Sequence, residues 1–178
     1  SMLSSMLLTV NTEEIDSRSV ERTGIELGEG EYYVIDKTLE EIPVTYQMWV
    51  KIPSEAYGTA GVLMGNKNSD DQKDYFTIGL KGDGKLYFEC ANNGTVRNWN
   101  FGGFAKCKIP ADTWTHITVI QEVAKSKIHV VLNGTWDTGT SSGTSNFVQL
   151  REEALTYPVR VGDVDGIILG DVNIYTEV

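Results

Sequence analysis

Leu86-Tyr87-Phe88-Glu89-Cys90-Ala91-Asn92-Asn93-Gly94-Thr95-Val96-Arg97-Asn98-Trp99-Asn100-Phe101 is the stretch that decides the fold. Leu86, Phe88 and Cys90 recur every second residue, as do Arg97, Trp99 and Phe101 after the break, alternating with Asn98 and Asn100. A period of two is the signature of a strand. The break is Asn93-Gly94, and a two-residue turn between right-twisted strands needs positive φ, which Asn and Gly adopt at little cost. The stretch therefore reads as a β-hairpin. Gly82-Asp83-Gly84 stands before it between the runs ending at Leu80 and starting at Lys85, and Asn133-Gly134 punctuates the chain further on. Three such turns predict an antiparallel sheet.

The same alternation extends along the chain. Val44, Tyr46, Met48 and Val50 share one side of a strand; Thr45, Gln47, Trp49 and Lys51 share the other. Phe76, Ile78 and Leu80 repeat it, as do Ile117 with Val119, and Ile128, Val130 and Leu132. Helical patterning is confined to Thr12–Val20, with Thr12 as a cap, and to Leu150–Leu155. Thr138–Asn146, rich in Thr, Ser and Gly, reads as a mobile surface loop. Short strands with Gly-rich turns and no helical layer predict an all-β sandwich or barrel.

The chain has 178 residues, 40% hydrophobic and 10% aromatic, with formal net charge −10. That length suits one domain, and the aromatic content excludes a disordered chain. An acidic chain without a Lys/Arg cluster makes nucleic acid and anionic membranes poor partners, and suits a neutral or cationic ligand. No run reaches the roughly 18 apolar residues of a membrane span. The N-terminus lacks the basic and apolar regions of a signal peptide, and its leading Ser before Met reads as a scar of tag cleavage. The expectation is a module cut from a longer protein: residues 1–22 scar and flank, residues 23–178 the domain.

Five pieces, in order, carry a family resemblance: Gly24-Ile25-Glu26-Leu27 with Tyr32-Tyr33-Val34-Ile35; Val44-Thr45-Tyr46-Gln47-Met48-Trp49-Val50-Lys51; Trp114-Thr115-His116-Ile117-Thr118-Val119; Val130-Val131-Leu132-Asn133-Gly134; and Val159-Arg160-Val161-Gly162 with Gly170-Asp171-Val172-Asn173-Ile174-Tyr175. Together they resemble the concanavalin A-like jelly rolls, specifically laminin G-like domains of secreted multidomain proteins. The resemblance implies an all-β jelly-roll sandwich of two antiparallel sheets, a secreted or cell-surface setting, and, in many members, a calcium ion. It also marks Trp49 and Trp114 as packing tryptophans.

The residues bear on several chemistries. Retaining glycoside hydrolysis needs two carboxylates about 5 Å apart, and the hydrolase pattern Glu-x-Asp-x-x-Glu is absent; Glu14-Ile15-Asp16 has Ser19 where the acid belongs. The two histidines, His116 and His129, sit on alternating runs and suit sheet packing better than catalysis, and no Gly-x-Ser-x-Gly elbow exists. Calcium wants six to eight oxygens; Glu26, Glu29 and Asp171 lie in strands that neighbour each other in similar domains, with Asp163/Asp165 and the 66–74 loop as further acidic groups. Sugar binding needs an aromatic face plus amides or Arg for the hydroxyls, and Arg97, Asn98, Trp99 and Asn100 concentrate those types, with Trp136 and Tyr57 as flanking candidates. Cys90 and Cys107 are the chain's two cysteines and suit a bridge or buried thiols.

The expected function is non-catalytic carbohydrate binding, with a glycan as partner and other domains of the parent protein as neighbours. A structural or adhesion domain is the alternative, and a glycoside hydrolase domain stands behind both. The calcium expectation is checked by melting with and without EDTA: a structural ion requires the midpoint to fall in EDTA, and an unchanged midpoint argues against one.

Overall fold

In a strand, successive side chains point to opposite faces, so each alternating run builds one apolar and one polar face. The computed structural model describes residues 5–8, 13–16, 19–21, 24–35, 38–101, 108–138, 140–142 and 149–176. Its strands are β1 (Ser5–Leu8), β2 (Glu13–Asp16), β3 (Ser19–Glu21), β4 (Ile25–Glu26), β5 (Tyr33–Val34), β6 (Thr45–Lys51), β7 (Gly61–Gly65) and β8 (Tyr75–Leu80), then β9 (Leu86–Asn92), β10 (Thr95–Asn100), β11 (Thr115–Glu122), β12 (Lys127–Leu132), β13 (Thr135–Thr138), β14 (Thr140–Ser142), β15 (Arg160–Asp163) and β16 (Ile168–Tyr175).

Among the described residues these strands form two antiparallel sheets. The first runs β1-β16-β6-β11-β12-β13, with β4 also on β16; the second runs β14-β10-β9-β8-β7-β15-β5. The architecture is the expected jelly-roll sandwich. The inward residues are the apolar members of each run: Tyr46, Met48 and Val50 from β6, Ile117 and Val119 from β11, Phe76, Ile78 and Leu80 from β8, Leu86 and Phe88 from β9. Tyr46 reaches across the sandwich, its ring 4.6 Å from Phe76 and 6.2 Å from Phe88. Its hydroxyl accepts a hydrogen bond from the buried Gln121 amide at 3.0 Å.

Both Asn-Gly turns take the expected conformation, with φ of 49° and 86° at Asn93-Gly94 and 47° and 86° at Asn133-Gly134. Two expectations are corrected. Residues Glu13–Asp16 and Ser19–Glu21 pair as a separate two-stranded hairpin instead of a helical turn; a helix of two turns is marginal without tertiary support, and Thr12 lies outside the described residues. Within the Thr/Ser-rich stretch, Thr140–Ser142 is not a loop but an edge strand, paired with Asn98–Asn100 of β10. Strand pairing suits the β-branched Thr, and here the chain passes from β13 of the first sheet to β14 of the second. The helical turn near Leu150 is present as a 3-10 turn, Glu152–Thr156. Ser5–Leu8, from the N-terminal stretch, pairs with β16.

The β9–β10 hairpin is tied down by a buried carboxylate. Asp74 accepts from Arg151 Nη2 at 2.7 Å and from the Asn93 amide at 2.9 Å, and Arg151 Nε also pairs with it. Gly94 N–H donates to Lys73 O at 2.9 Å. The Arg151 hydrogen bond, helped by the Asn93 amide and against the effect of burial, holds the Asp74 carboxyl below the usual range. Because the folded state binds this proton less readily than the unfolded one, its stabilisation is whole above about pH 4 and is lost as pH falls through the lowered folded value. Asp74→Asn is expected to cost about 1–3 kcal/mol at neutral pH. It should also flatten the acid limb of the stability curve, as read by urea melts between pH 7 and pH 3.

Candidate carbohydrate site on the second sheet

The registers of the second sheet lay one outward-facing row across five strands. Arg160 of β15 stands opposite Gly65 of β7, Gly65 opposite Thr77 of β8, Thr77 opposite Glu89 of β9, and Glu89 opposite Asn98 of β10. Adjacent strands are about 4.8 Å apart, so the Arg160 and Glu89 backbones stand about 14 Å apart. Between them lie a glycine and a threonine, which leave a depression. Its volume is about 290 Å³, and its walls include Arg160, Lys67, Glu89, Tyr87, Thr77 and Asp70.

Two glycines shape the floor. A Cβ on Gly79 would sit 2.0 Å from atoms of the Tyr87 ring, so the ring lies directly over the Gly79 backbone. A Cβ on Gly65 would meet Phe76 O at 2.8 Å. Glycine inside a strand weakens the strand but permits this kind of close approach.

The polar groups are held in place. Tyr75 donates its hydroxyl hydrogen to Glu89 Oε2 at 2.8 Å. Burial, and then that bond, raise the Tyr75 hydroxyl above its ordinary value. Burial, followed by the charge of Glu89, also raises Tyr87, which keeps it a neutral donor. Lys67 Nζ lies 4.8 Å from the Tyr75 ring centroid. Arg160 Nη2 donates to Lys67 O at 2.7 Å, its Cζ lies 5.0 Å from the Tyr32 ring, and Nη1 is 3.7 Å from Asp163 Oδ2. The 66–74 loop on the rim is fixed from inside. The buried Asn66 donates to Ala154 O at 3.0 Å and accepts from Phe76 N–H at 2.9 Å; Gln72 donates to Asn66 O and Asp74 O, both at 2.8 Å.

The residues singled out from the sequence are divided by the pleat. Trp99 is 3% exposed, packs on Phe88 with ring centroids 5.8 Å apart, and belongs to the core. It offers no face for stacking on a sugar, which corrects the expectation. Arg97 faces the same way, opposite Cys90, and its Nη1 donates to Val96 O at 2.8 Å. Asn98 and Asn100 face outward beside Glu89 and Tyr87, and Asn100 accepts from Lys81 Nζ at 2.6 Å. The four therefore do not form one site. Trp136 is 56% exposed on the outer face of the first sheet, its ring 5.9 Å from His129. Tyr57 lines a different depression with Gly82, Asp83 and Lys108, its hydroxyl bonded to Ile109 O.

Trp49 and Trp114 close over Gly170, on the outside of the first sheet, and Trp49 packs edge-on to His116 at 5.0 Å. Among the described residues, Glu26, Glu29 and Asp171 are not gathered with one another or with other acids, His or Cys into a group of three fit to hold a metal ion. Cys90 is a free, buried thiol pushed up to about 12 by burial, with Asp74 and Glu89 adding to the shift; Cys107 lies outside the described residues.

Arg160, Lys67, Thr77, Tyr87 and Glu89 were not singled out from the sequence. Signals for them existed: Tyr87 and Glu89 alternate with the apolar Leu86, Phe88 and Cys90, and Gly65 and Gly79 interrupt strand interiors where a close approach is common.

This fold and its open sheet face define a lectin-like sandwich. The chain belongs to the concanavalin A-like lectin/glucanases superfamily, whose laminin G-type family model matches residues 27–178. No curated protein sequence matches significantly. Among solved structures it is similar to the CBM40 of Ruminococcus gnavus IT-sialidase bound to α2,3-sialyllactose, at 15% identity and TM-score 0.62, covering 88% of this chain and 91% of that one. It is similar to the leech intramolecular trans-sialidase complexed with 2,7-anhydro-Neu5Ac, at 15% identity and TM-score 0.62, covering 88% of this chain and 25% of that one. It is also similar to the binding domain of botulinum neurotoxin serotype D, at 12% identity and TM-score 0.60, covering 98% and 44%. At these identities the likeness is one of fold.

The placement of the tryptophans is checked by denaturation. Trp99→Ala is expected to cost about 3–5 kcal/mol, whereas Trp136→Ala should stay within about 0.5 kcal/mol.

Proposed function

We propose that the protein is a non-catalytic carbohydrate-binding module that takes a glycan in the cleft between Arg160 and Glu89, and that it serves in a secreted or cell-surface protein. One observation carries the reading: a single in-register row sets a guanidinium and a carboxylate on either side of a floor of small residues, with the Tyr87 ring beside them. Such a cleft supplies what a sugar needs, an aromatic surface for C–H faces and charged or hydroxyl groups for its own hydroxyls. Two of the similar structures are complexes with α2,3-sialyllactose and with 2,7-anhydro-Neu5Ac, which supports the ligand class.

The cleft's geometry favours binding over hydrolysis. Glu89 already accepts from Tyr75, and its neighbours along the row are Thr77 and Asn98, not a second acid at the separation a glycosidase needs. A single open site of this kind binds on the order of micromolar to millimolar and gains from multivalency.

A glycan array followed by titration tests the reading. Tyr87→Ala and Glu89→Ala should each weaken binding at least about tenfold, roughly 1.4 kcal/mol; Tyr87→Ala should change melting little, whereas Glu89→Ala also leaves the Tyr75 hydroxyl unpaired and should cost about 1–3 kcal/mol of stability. Gly79→Ala should weaken binding as well, because its new methyl displaces the Tyr87 ring, the movable end of a side chain. Absence of binding to any glycan, or release of reducing sugar by the domain, refutes the proposal.

A further inference from the structure

We infer that the outer face of the first sheet is a second glycan-binding surface, separate from the cleft, and that it takes a neutral oligosaccharide chain stacked on Trp136. The registers set five residues in one line across five strands. Asn173 of β16 stands opposite Gln47 of β6, Gln47 opposite Thr118 of β11, Thr118 opposite Val131 of β12, and Val131 opposite Trp136 of β13. The line faces outward because the residues that alternate with it, Val172, Met48, Ile117 and Val130, belong to the core. A second line, Tyr175, Thr45, Ile120 and His129, runs along one side of it, and the pair Trp49 and His116 lies on the other. None of these residues is Lys, Arg, Asp or Glu, although those types make up 22% of the chain. Lys51, Glu122 and Lys127 stand at the ends of their strands. The cleft on the second sheet is built the other way, with Arg160, Lys67, Glu89 and Asp70 around it.

A face that keeps charge away yet carries rings, amides and hydroxyls matches an uncharged ligand with C–H faces and many hydroxyls of its own. That ligand is a chain of neutral pyranoses. Trp136 is the platform. It is exposed, its ring meets His129 edge-on at 5.9 Å, and His129 Nε2 is held in turn by Glu122 at 2.9 Å. A ring supported in this way gives up little freedom when a sugar stacks on it. Trp49, edge-on to His116 at 5.0 Å, bounds the surface at the other end. The backbones of the two tryptophans are three strands and one outward step apart, about 16 Å. Gln47 and Thr118 lie between them and offer an amide and a hydroxyl to the sugar hydroxyls. The other occupant that an uncharged sheet face invites is a second copy of the chain, and the area argues against it. Five strands and three outward steps cover about 19 Å by 14 Å, roughly 270 Å², against about 800 Å² per partner in a stable interface. A short oligosaccharide needs no more than such a strip.

The test is calorimetric titration of the full chain with cellohexaose, xylohexaose, mannohexaose and laminarihexaose. At least one is expected to bind, on the order of micromolar to millimolar. Trp136→Ala should weaken that binding about tenfold or more. Gln47→Ala should weaken it about threefold or more, the worth of one neutral hydrogen bond; near-UV circular dichroism checks that both variants are folded. Failure of all four hexasaccharides to bind overturns the inference, as does binding that Trp136→Ala leaves unchanged. Binding lost in Tyr87→Ala but kept in Trp136→Ala puts the neutral glycan in the cleft, so the second surface falls and the carbohydrate reading stands. If no glycan binds, here or on the array, both fall. Self-association in sedimentation equilibrium that Trp136→Ala abolishes, with no hexasaccharide bound, assigns the face to a second copy and overturns the inference.

Discussion

The contact of Tyr46 with Phe76 and Phe88 joins the two sheets, and the rest of the structure is arranged around it. Tyr46 is 1% exposed and spans from β6 of one sheet to β8 and β9 of the other. Tilted aromatic pairs of this kind add to the area they bury. The phenol brings a polar atom into the core, where an unpaired hydroxyl is costly. Gln121 meets it, and the same amide donates to Pro43 O at 3.2 Å, which fastens the chain entering β6. Once this interface is set, the pleat leaves no freedom. Every inward residue of β6, β8 and β9 implies which residues face out.

The outward faces are where the two sheets differ. On the first sheet, Trp49 and Trp114 close over Gly170, and Trp136 stands exposed beside His129. On the second sheet, glycine and threonine at the centre of the row open a cleft between charged residues. Gly65 and Gly79 weaken their strands, as glycine does. In exchange the cleft has depth, and Tyr87 lies flat against the sheet. Supports behind the face keep it rigid: Asn66 and Gln72 fix the rim loop, and Asp74 with Arg151 fixes the adjacent hairpin. The site therefore rests on strands and on hydrogen-bonded supports behind them, which favours preorganised recognition.

Much of the fold was legible because its signals are local. The Asn-Gly turns and the period-two runs each concern neighbouring residues, and they place Phe88, Ile78, Ile117 and Val130 inside without reference to the rest of the chain. The candidate site was less legible. The sequence groups Arg97, Asn98, Trp99 and Asn100 as one ligand site, but the pleat puts Trp99 in the core and Asn98 and Asn100 on the opposite, outward face. A tryptophan between two asparagines reads either way, and only the identity of the sheet's inner face decides. Arg160 and Glu89 lie 71 positions apart in sequence, and no spacing rule connects them. Thr12–Val20 misled for a related reason, since its capping signal is local and strand pairing overrode it.

The sequence by itself determined the class of fold, the turns and the alternation of apolar and polar groups along each strand. These follow from backbone sterics and from the burial of apolar side chains, which act between residues close in the chain. Tertiary structure alone decided which outward residues share a site. Strand order and register bring β15, β7, β8 and β9 side by side, so Arg160, Thr77, Glu89 and Tyr87 meet over two glycines. Register is a property of paired strands, and no single strand encodes its partners.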